Sequence, residues 1–162
     1  TRMTTGLKIS VHSQPDEQCI ANCMTVMTSA FDPQFGEAWT APQLRSMMTL
    51  PGDVLIVGQD AARTVGFGLM RPIAGESELL LLAVNPNSRR IGNGRRILDR
   101  CLTVAENNGN EAFFLEVRDG NPAVQLYGKA GFHQYNRRKD YYLGNNGQRY
   151  DALSLKLVLI KN

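Results

Sequence analysis

Residues 79–102 read LLLLAVNPNSRRIGNGRRILDRCL, and three kinds of chain follow one another there. The strand expected over 78–84, ELLLLAV, is apolar from Leu79 to Val84, which predicts burial on both faces and hence a central strand in a sheet covered by helices. Ile97, Leu98, Cys101, Leu102 and Ala105 recur at helical spacing, so a helix is expected over 94–107. Between strand and helix lies a loop holding Gly92 and Gly94. Residues 86–100 carry five arginines against one aspartate, so an anionic partner is expected there. The first amides of a helix have no partner within it, and the helix dipole adds partial positive charge, so phosphate binds there readily. Glycine lets the backbone approach an anion closely, and arginine adds charge-assisted hydrogen bonds. The loop reads as a holder for a small phosphorylated molecule. The plainer alternative, a glycine turn beside solvated arginines, stays open on the loop alone. A Walker A loop would need Gly-Lys-Ser/Thr, which is absent, and a dinucleotide fingerprint would need a third glycine where Ile97 stands.

On the C-terminal side, EAFFLEVR (111–118) reads as a second buried strand and completes a β-loop-α-β unit with a right-handed crossover. A short helix over 121–130 follows, with Asn121 at its start, Pro122 in its first turn and Gly131 closing it. FHQYNRR (132–138) is strand-like, NNG (145–147) is a turn, and DALSLKLVLI (151–160) places Leu at alternate positions as a strand does. On the N-terminal side, LKISVH (7–12) is a short strand. QPDEQ then starts a helix whose apolar positions run from Cys19 through Ile20, Cys23, Met24, Met27 and Ala30 to Phe31. A second helix covers 42–49, and strands are expected at 53–59 and 64–72. Helices alternate with buried strands, and no repeat, linker or low-complexity tract interrupts them. The class is α/β, in a single domain over 1–162.

The bulk properties fit that reading. With 43% hydrophobic and 20% charged residues in 162, the chain is long enough to bury a core and is not of disordered composition. A net charge of +3 is too small to imply nucleic-acid binding. Cys19, Cys23 and Cys101 are an odd number without a CxxC pair, which argues against a disulfide scaffold or a zinc site and for a reducing compartment. No apolar run is long enough to span a membrane, and the opening residues lack a charged-then-apolar signal pattern. A soluble cytoplasmic protein without metal is expected. His12 and His133 have no metal-like neighbours in sequence and read as structural or surface residues.

The stretch 79–102, with Arg89, Gly92 and Gly94 in a Gln/Arg-x-x-Gly-x-Gly/Ala pattern, resembles the acetyl-CoA-binding motif of the GCN5-related N-acetyltransferases. The likeness continues through FFLEVRDGNPAVQLYGKAGF (113–132) and RRKDYYLGNNGQRYDALSLKL (137–157), and less specifically through FDPQFGEAWTAPQL (31–44). Within that family it is similar to the RimI-type branch, which acetylates the N-terminal alanine of ribosomal protein S18. The resemblance implies a mixed central sheet flanked by helices, with two central parallel strands splayed apart to hold acetyl-CoA. It implies that main-chain groups of Leu82, Ala83 and Val84 pair with the pantetheine arm. It further implies that Arg89, Arg90, Ile91, Gly92, Asn93, Gly94 and Arg95 serve the pyrophosphate, and that Asn121 adds a polar contact. Glu116 would be the proton acceptor and Tyr127 the proton donor, with Trp39, Tyr141 and Tyr142 facing the acceptor. The implied partner is a protein N-terminus, met by a monomer, with neither nucleic acid nor membrane.

From the residues alone, Glu116 could instead form an ion pair with Arg118 or another arginine, and Tyr127 could be a plain core aromatic. One departure from the family pattern stands out. Glu116 and Tyr127 are eleven positions apart, one fewer than is usual, so the loop at 119–121 is shortened and the role of Asn121 is open. A lysine or small-amine acceptor, or a module that binds acetyl-CoA without turning it over, are the competing functions.

Overall fold

The computed structural model describes residues 6–159; the side chains of Arg89, Arg90 and Ile91 lie outside the described set. Seven strands form one sheet in the order β1-β2-β3-β4-β5-β7-β6. They are β1 (Lys8–His12), β2 (Val54–Asp60), β3 (Arg63–Ile73), β4 (Glu76–Val84), β5 (Ala112–Arg118), β6 (His133–Leu143) and β7 (Arg149–Val158). The helices are α1 (Glu17–Ala30), α2 (Ala41–Met48), α3 (Asn93–Asn107) and α4 (Ala123–Lys129), with 3-10 turns at Pro33–Phe35 and Pro86–Ile91. The expected mixed sheet flanked by helices is present. β4 and β5 are parallel and every other neighbouring pair is antiparallel.

Local chemistry accounts for the helix starts. Asp16 accepts from the Cys19 amide at 2.8 Å and opens α1. Thr40 and Gln43 form a reciprocal capping box at α2, with Pro42 in the first turn. α3 is different. Its N-cap is Gly92, in the left-handed region at φ 81°, and no side chain caps it. α4 is shorter than expected and starts at Ala123, because Asn121 Oδ1 accepts the Ala123 amide at 2.8 Å and Pro122 becomes the cap.

Two apolar clusters lie on the two faces of the sheet. α1 and α2 pack Ile20, Cys23, Met27, Leu44 and Met48 onto Leu55, Phe67, Leu69 and Leu81. α3 and α4 pack Ile97, Leu98, Cys101 and Tyr127 onto Ile56, Phe113, Leu115 and Leu153. Gly66 is what lets α3 sit so low: a Cβ there would meet Ile97 Cδ1 at 2.8 Å and the Ala83 carbonyl at 3.0 Å.

The geometry that matters most is where β4 and β5 part. They pair from Glu76↔Ala112 to Leu79↔Leu115 and no further. At that point β4 carries a bulge, since Met70 faces Leu79 while Leu69 faces Leu81, leaving Leu80 without a partner in β3. The bulge puts Leu79 with the α3 face and Leu81 with the α1 face. Beyond it Leu81–Val84 stay with β3, and Glu116–Arg118 stay with β7. The central parallel strands are splayed, as expected.

The last hairpin departs from expectation. β6 runs to Leu143 and is exposed over nearly its whole length, with a register shift between Arg138 and Tyr142 where Asp140 takes φ 54°. Arg137 bridges Asp119 and Asp151, both at 2.8 Å, and so ties this irregular edge to the end of β5.

Candidate active site

The gap between the two strands opens into a cleft of about 970 Å³ that reaches both faces of the sheet. Leu82, Ala83 and Val84 form one wall and Glu116, Val117 and Arg118 the other. Leu115 and Val117 belong to the α3-side cluster, so the alternation of a strand turns Glu116 and Arg118 to the α1 side. Tyr127, on α4, comes from the opposite face. A carboxylate and a phenol therefore reach one cleft from its two sides.

Glu116 is fixed rather than free. Its Oε1 accepts from Arg138 Nε at 2.9 Å, and its Oε2 accepts from Ser154 Oγ. Both readings of this residue, cleft carboxylate and arginine partner, are realised together, the arginine being Arg138 and not Arg118. Ser154 faces Glu116 across the β5–β7 ladder, and Arg138 arrives from the neighbouring β6.

Tyr127 is buried and packs edge-to-face on Phe132 at 5.7 Å. Burial holds its phenol well above the ordinary value of 10.0. Its hydroxyl has no hydrogen-bond partner among the described residues. Tyr142, more buried than its neighbours on β6, lines the cleft, and its phenol is raised as well, by burial first and then by the nearby Glu37 carboxylate. Trp39 lines the cleft from the α1–α2 segment. Tyr141 does not line the cleft. It is 51% exposed and stacks edge-on against Tyr142 at 5.0 Å, because strand alternation turns it outward.

The phosphate-loop candidates separate in the same way. Gly92, Gly94 and Arg95 line the cleft, whereas Asn93 is buried behind it. The uncapped start of α3 leaves its first amides to whatever the cleft holds, while Arg96 N–H already donates to the Gly92 carbonyl at 3.1 Å. Not every arginine serves the loop: Arg95 pairs with Asp99 at 2.9 Å, and Arg96 donates to the Leu7 carbonyl at 3.0 Å and anchors the N-terminal strand. Arg89, Arg90 and Ile91 lie in the 3-10 turn beside the cleft, their side chains outside the described set.

Sequence reasoning missed a second carboxylate. Glu37 lines the cleft and lies 3.1 Å from Arg118 Nε, with both side chains under a tenth exposed. Asn121 Nδ2 donates to Glu37 Oε2 at 2.7 Å while its Oδ1 takes the Ala123 amide. Asn121 thus lines the cleft but spends its amide on protein partners. A charged residue inside the FDPQFGEAW segment, between apolar neighbours, was the available signal.

The comparisons with known proteins agree with this geometry. The model of the acetyltransferase (GNAT) domain matches residues 11–141. A [ribosomal protein bS18]-alanine N-acetyltransferase of Haemophilus influenzae is 30% identical over 95 residues, 59% of this chain and 65% of that protein. The protein of the same name from Escherichia coli K12 is 32% identical over 98 residues, 60% of this chain and 66% of that one. The matched stretch thus spans just under two thirds of these curated relatives. The crystal structure of the Escherichia coli ribosomal-protein-S18-alanine N-acetyltransferase superposes with a TM-score of 0.83 over 97% of this chain and 96% of that one, at 23% identity. An aminoglycoside 6'-N-acetyltransferase complexed with coenzyme A superposes at 0.75, 15% identical, over 96% of this chain and 98% of that one. With its splayed parallel pair, its uncapped α3 and a family model matching most of its length, the chain belongs to the acetyltransferase (GNAT) domain family.

Proposed function

We propose that the chain transfers the acetyl group of acetyl-CoA to the α-amine of a protein N-terminus, and that its acceptor is the N-terminal alanine of ribosomal protein S18. The observation that carries the reading is the splay of β4 from β5, with Glu116 reaching the gap from one face and Tyr127 from the other. The names of the curated relatives support the acceptor, and the coenzyme A complex of a fold neighbour supports the cofactor.

The residues fit such a cofactor. β4 keeps its β3 pairing through Leu82, Ala83 and Val84 after it has left β5, and an amide-bearing pantetheine arm can add along the cleft side of that strand as a further strand would. The uncapped amides at Gly92–Arg95 suit a pyrophosphate. Acetyl-CoA supplies an activated acyl group. Glu116 takes the proton of the incoming ammonium, directly or through water, and leaves a neutral amine able to attack. With acetyl-CoA bound, N–H groups on the cleft side of the β4 edge would be the donors available to an oxygen gaining negative charge. The Tyr127 hydroxyl holds the proton that the departing thiolate takes up. An α-amine, with a pKa near 8 against about 10.4 for lysine, needs only modest help from Glu116. We assign the reaction to the cytoplasm, in keeping with three free thiols, and to a monomer.

The test is incubation with acetyl-CoA and short peptides varied at their first residues, read by mass spectrometry. An Ala-first peptide should gain one acetyl group at its α-amine. A peptide with a blocked α-amine and an internal lysine should react poorly. Equal rates on the two would move the acceptor to the lysine side chain.

A further inference from the structure

The segment joining α1 to α2 is locked into the wall of the cleft from three sides. Gly36 and Gly144 allow two backbones to touch, since a Cβ on Gly36 would overlap the Leu143 carbonyl and one on Gly144 the Gln34 carbonyl. Asn145 N–H donates to the Pro33 carbonyl at 3.3 Å, and Phe35 packs edge-on against Tyr150 at 5.3 Å. The Arg118 guanidinium lies 3.7 Å from the centre of the Phe35 ring. Glu37 is the point at which this segment meets the catalytic elements. One of its oxygens faces Arg118, at the end of the strand that carries Glu116; the other accepts from Asn121, whose Oδ1 accepts the first amide of the helix that carries Tyr127.

We propose that Glu37 is a positioning residue for acetyl transfer: its carboxylate, shared between Arg118 and Asn121, sets the acceptor wall and the Tyr127 helix in register with Glu116. The inference rests on the acetyl-transfer reading above. A role in stability alone explains the pair poorly. Burying both charges costs desolvation, and an apolar pair of the same size would serve stability as well or better. The contact is also not a well-directed hydrogen bond. Arg118 Nε lies within ion-pair distance of Glu37, yet its N–H is not aimed at that oxygen and finds no other acceptor among the described residues. What the carboxylate does join directionally is Asn121, and through it the first turn of α4. Glu37, Tyr127 and Tyr142 line the same cleft, so the carboxylate stands between the elements that carry the two phenols.

Three variants and three readouts, namely kinetics, thermal stability and tryptophan emission, test this. Glu37→Gln keeps an oxygen for Asn121 but strands the Arg118 charge. Asn121→Asp keeps an acceptor for the Ala123 amide but turns an oxygen toward Glu37. Glu37→Gln with Arg118→Met removes both charges together. Both single variants should lower kcat at least about tenfold, as sub-ångström misplacement of reacting groups does, with KM for acetyl-CoA within about twofold of wild type. The double variant should recover the thermal stability that Glu37→Gln loses, but not its kcat. The chain has a single tryptophan, Trp39, two residues from Glu37 in the same wall, so its emission should shift to longer wavelength in all three. A double variant that recovers stability and turnover together would make the pair merely structural and overturn the proposal. So would wild-type kcat and unshifted emission in the single variants. If the wild type acetylates no α-amine, the functional reading fails and this inference with it; an active wild type with undiminished variants sinks the inference alone.

Discussion

Tyr127 poses the sharpest question at the scale of single residues, because a buried phenol held above its ordinary value is a weak acid. A thiol near 8.5 in water would make a poor match for it. The mismatch closes if the thiolate forms in the same low-dielectric cleft, since desolvation raises a thiol as it raises a phenol. The donor then stays protonated across the whole working range, so no alkaline fall in kcat should arise from Tyr127 below about pH 10. Tyr127→Phe keeps the ring and its packing on Phe132. It should cut turnover by about 10²–10⁴-fold with acetyl-CoA affinity nearly intact, and near-normal turnover would remove the donor role. The same phenol affects stability in a definite direction. Its folded-state pKa lies above the unfolded value near 10.0, so its contribution is fully present below that pH and is lost as pH rises beyond it. Between pH 9 and 11, wild type should lose more stability than Tyr127→Phe in urea titrations. For Glu116, already held by Arg138 and Ser154, Glu116→Gln should slow the reaction, and higher pH should restore part of the rate by deprotonating the amine in solution. No rescue would make that carboxylate structural. That Glu116 and Tyr127 share one cleft was expected from the family resemblance; that Glu37 and Arg118 pair, far apart in sequence and joined only by the fold, was not.

At the scale of elements, the β-loop-α-β unit was legible for a physical reason. A strand covered on both faces is apolar throughout, and a helix with one buried face repeats its apolar residues about every three or four positions. Three features escaped the same logic. The bulge at Leu80 hides within a run of identical leucines, where a change of face leaves no change of residue type. β6 is an edge strand exposed on nearly all its length, so its NRRKDYY stretch lacks the alternation that marks a half-buried strand. α4 starts only at Ala123, whose otherwise unpartnered first amide is accepted by the Asn121 side chain, and no apolar periodicity marks that boundary. The phosphate loop gives an element-level prediction. Gly92 has φ 81° and open space around a Cβ, so any penalty for Gly92→Val comes from the backbone and from intrusion on the anion path rather than from a clash within the protein. Acetyl-CoA affinity should fall at least about tenfold, or about 1.4 kcal/mol, in a variant that still folds. A folded Gly92→Val with unchanged affinity would sink the loop assignment. The β2–β3 turn offers an independent check. Ala61 and Ala62 both take positive φ, the backbone of a type I′ turn, which costs an alanine about 1–2 kcal/mol and suits Asn-Gly. Ala61→Asn with Ala62→Gly should raise the unfolding midpoint and leave turnover alone.

On the scale of the whole molecule, the sheet is two halves joined by a short seam. Within β1–β4 and within β5–β7 the ladders are long, broken only by local register shifts, while the link between the halves is the four-residue pairing Glu76–Leu79 with Ala112–Leu115. α3 reinforces that seam from one face, packing Ile97 and Cys101 into the same cluster as Phe113 and Leu115. Past the seam, residues 81–84 pair with β3 and no longer with β5. A ligand seated there should act as the missing strand and couple the two halves. At 100 times its dissociation constant, acetyl-CoA should stabilise the fold by about 2.7 kcal/mol through mass action. For a chain of this size that is a rise of roughly 5–10 °C in the unfolding midpoint. Hydrogen exchange supplies the location. Amides at 81–84 and at the start of α3, from 92 to 95, should gain protection, whereas the β2–β3 ladder, satisfied on its own, should change little. The loop and the strand edge are separate contacts, so Gly92→Val should lose the protection at 92–95 first and the thermal shift in proportion to its weakened affinity. Thermal stabilisation by acetyl-CoA without slower exchange at 81–84 would place the cofactor elsewhere on the molecule, and the splay would then need another purpose.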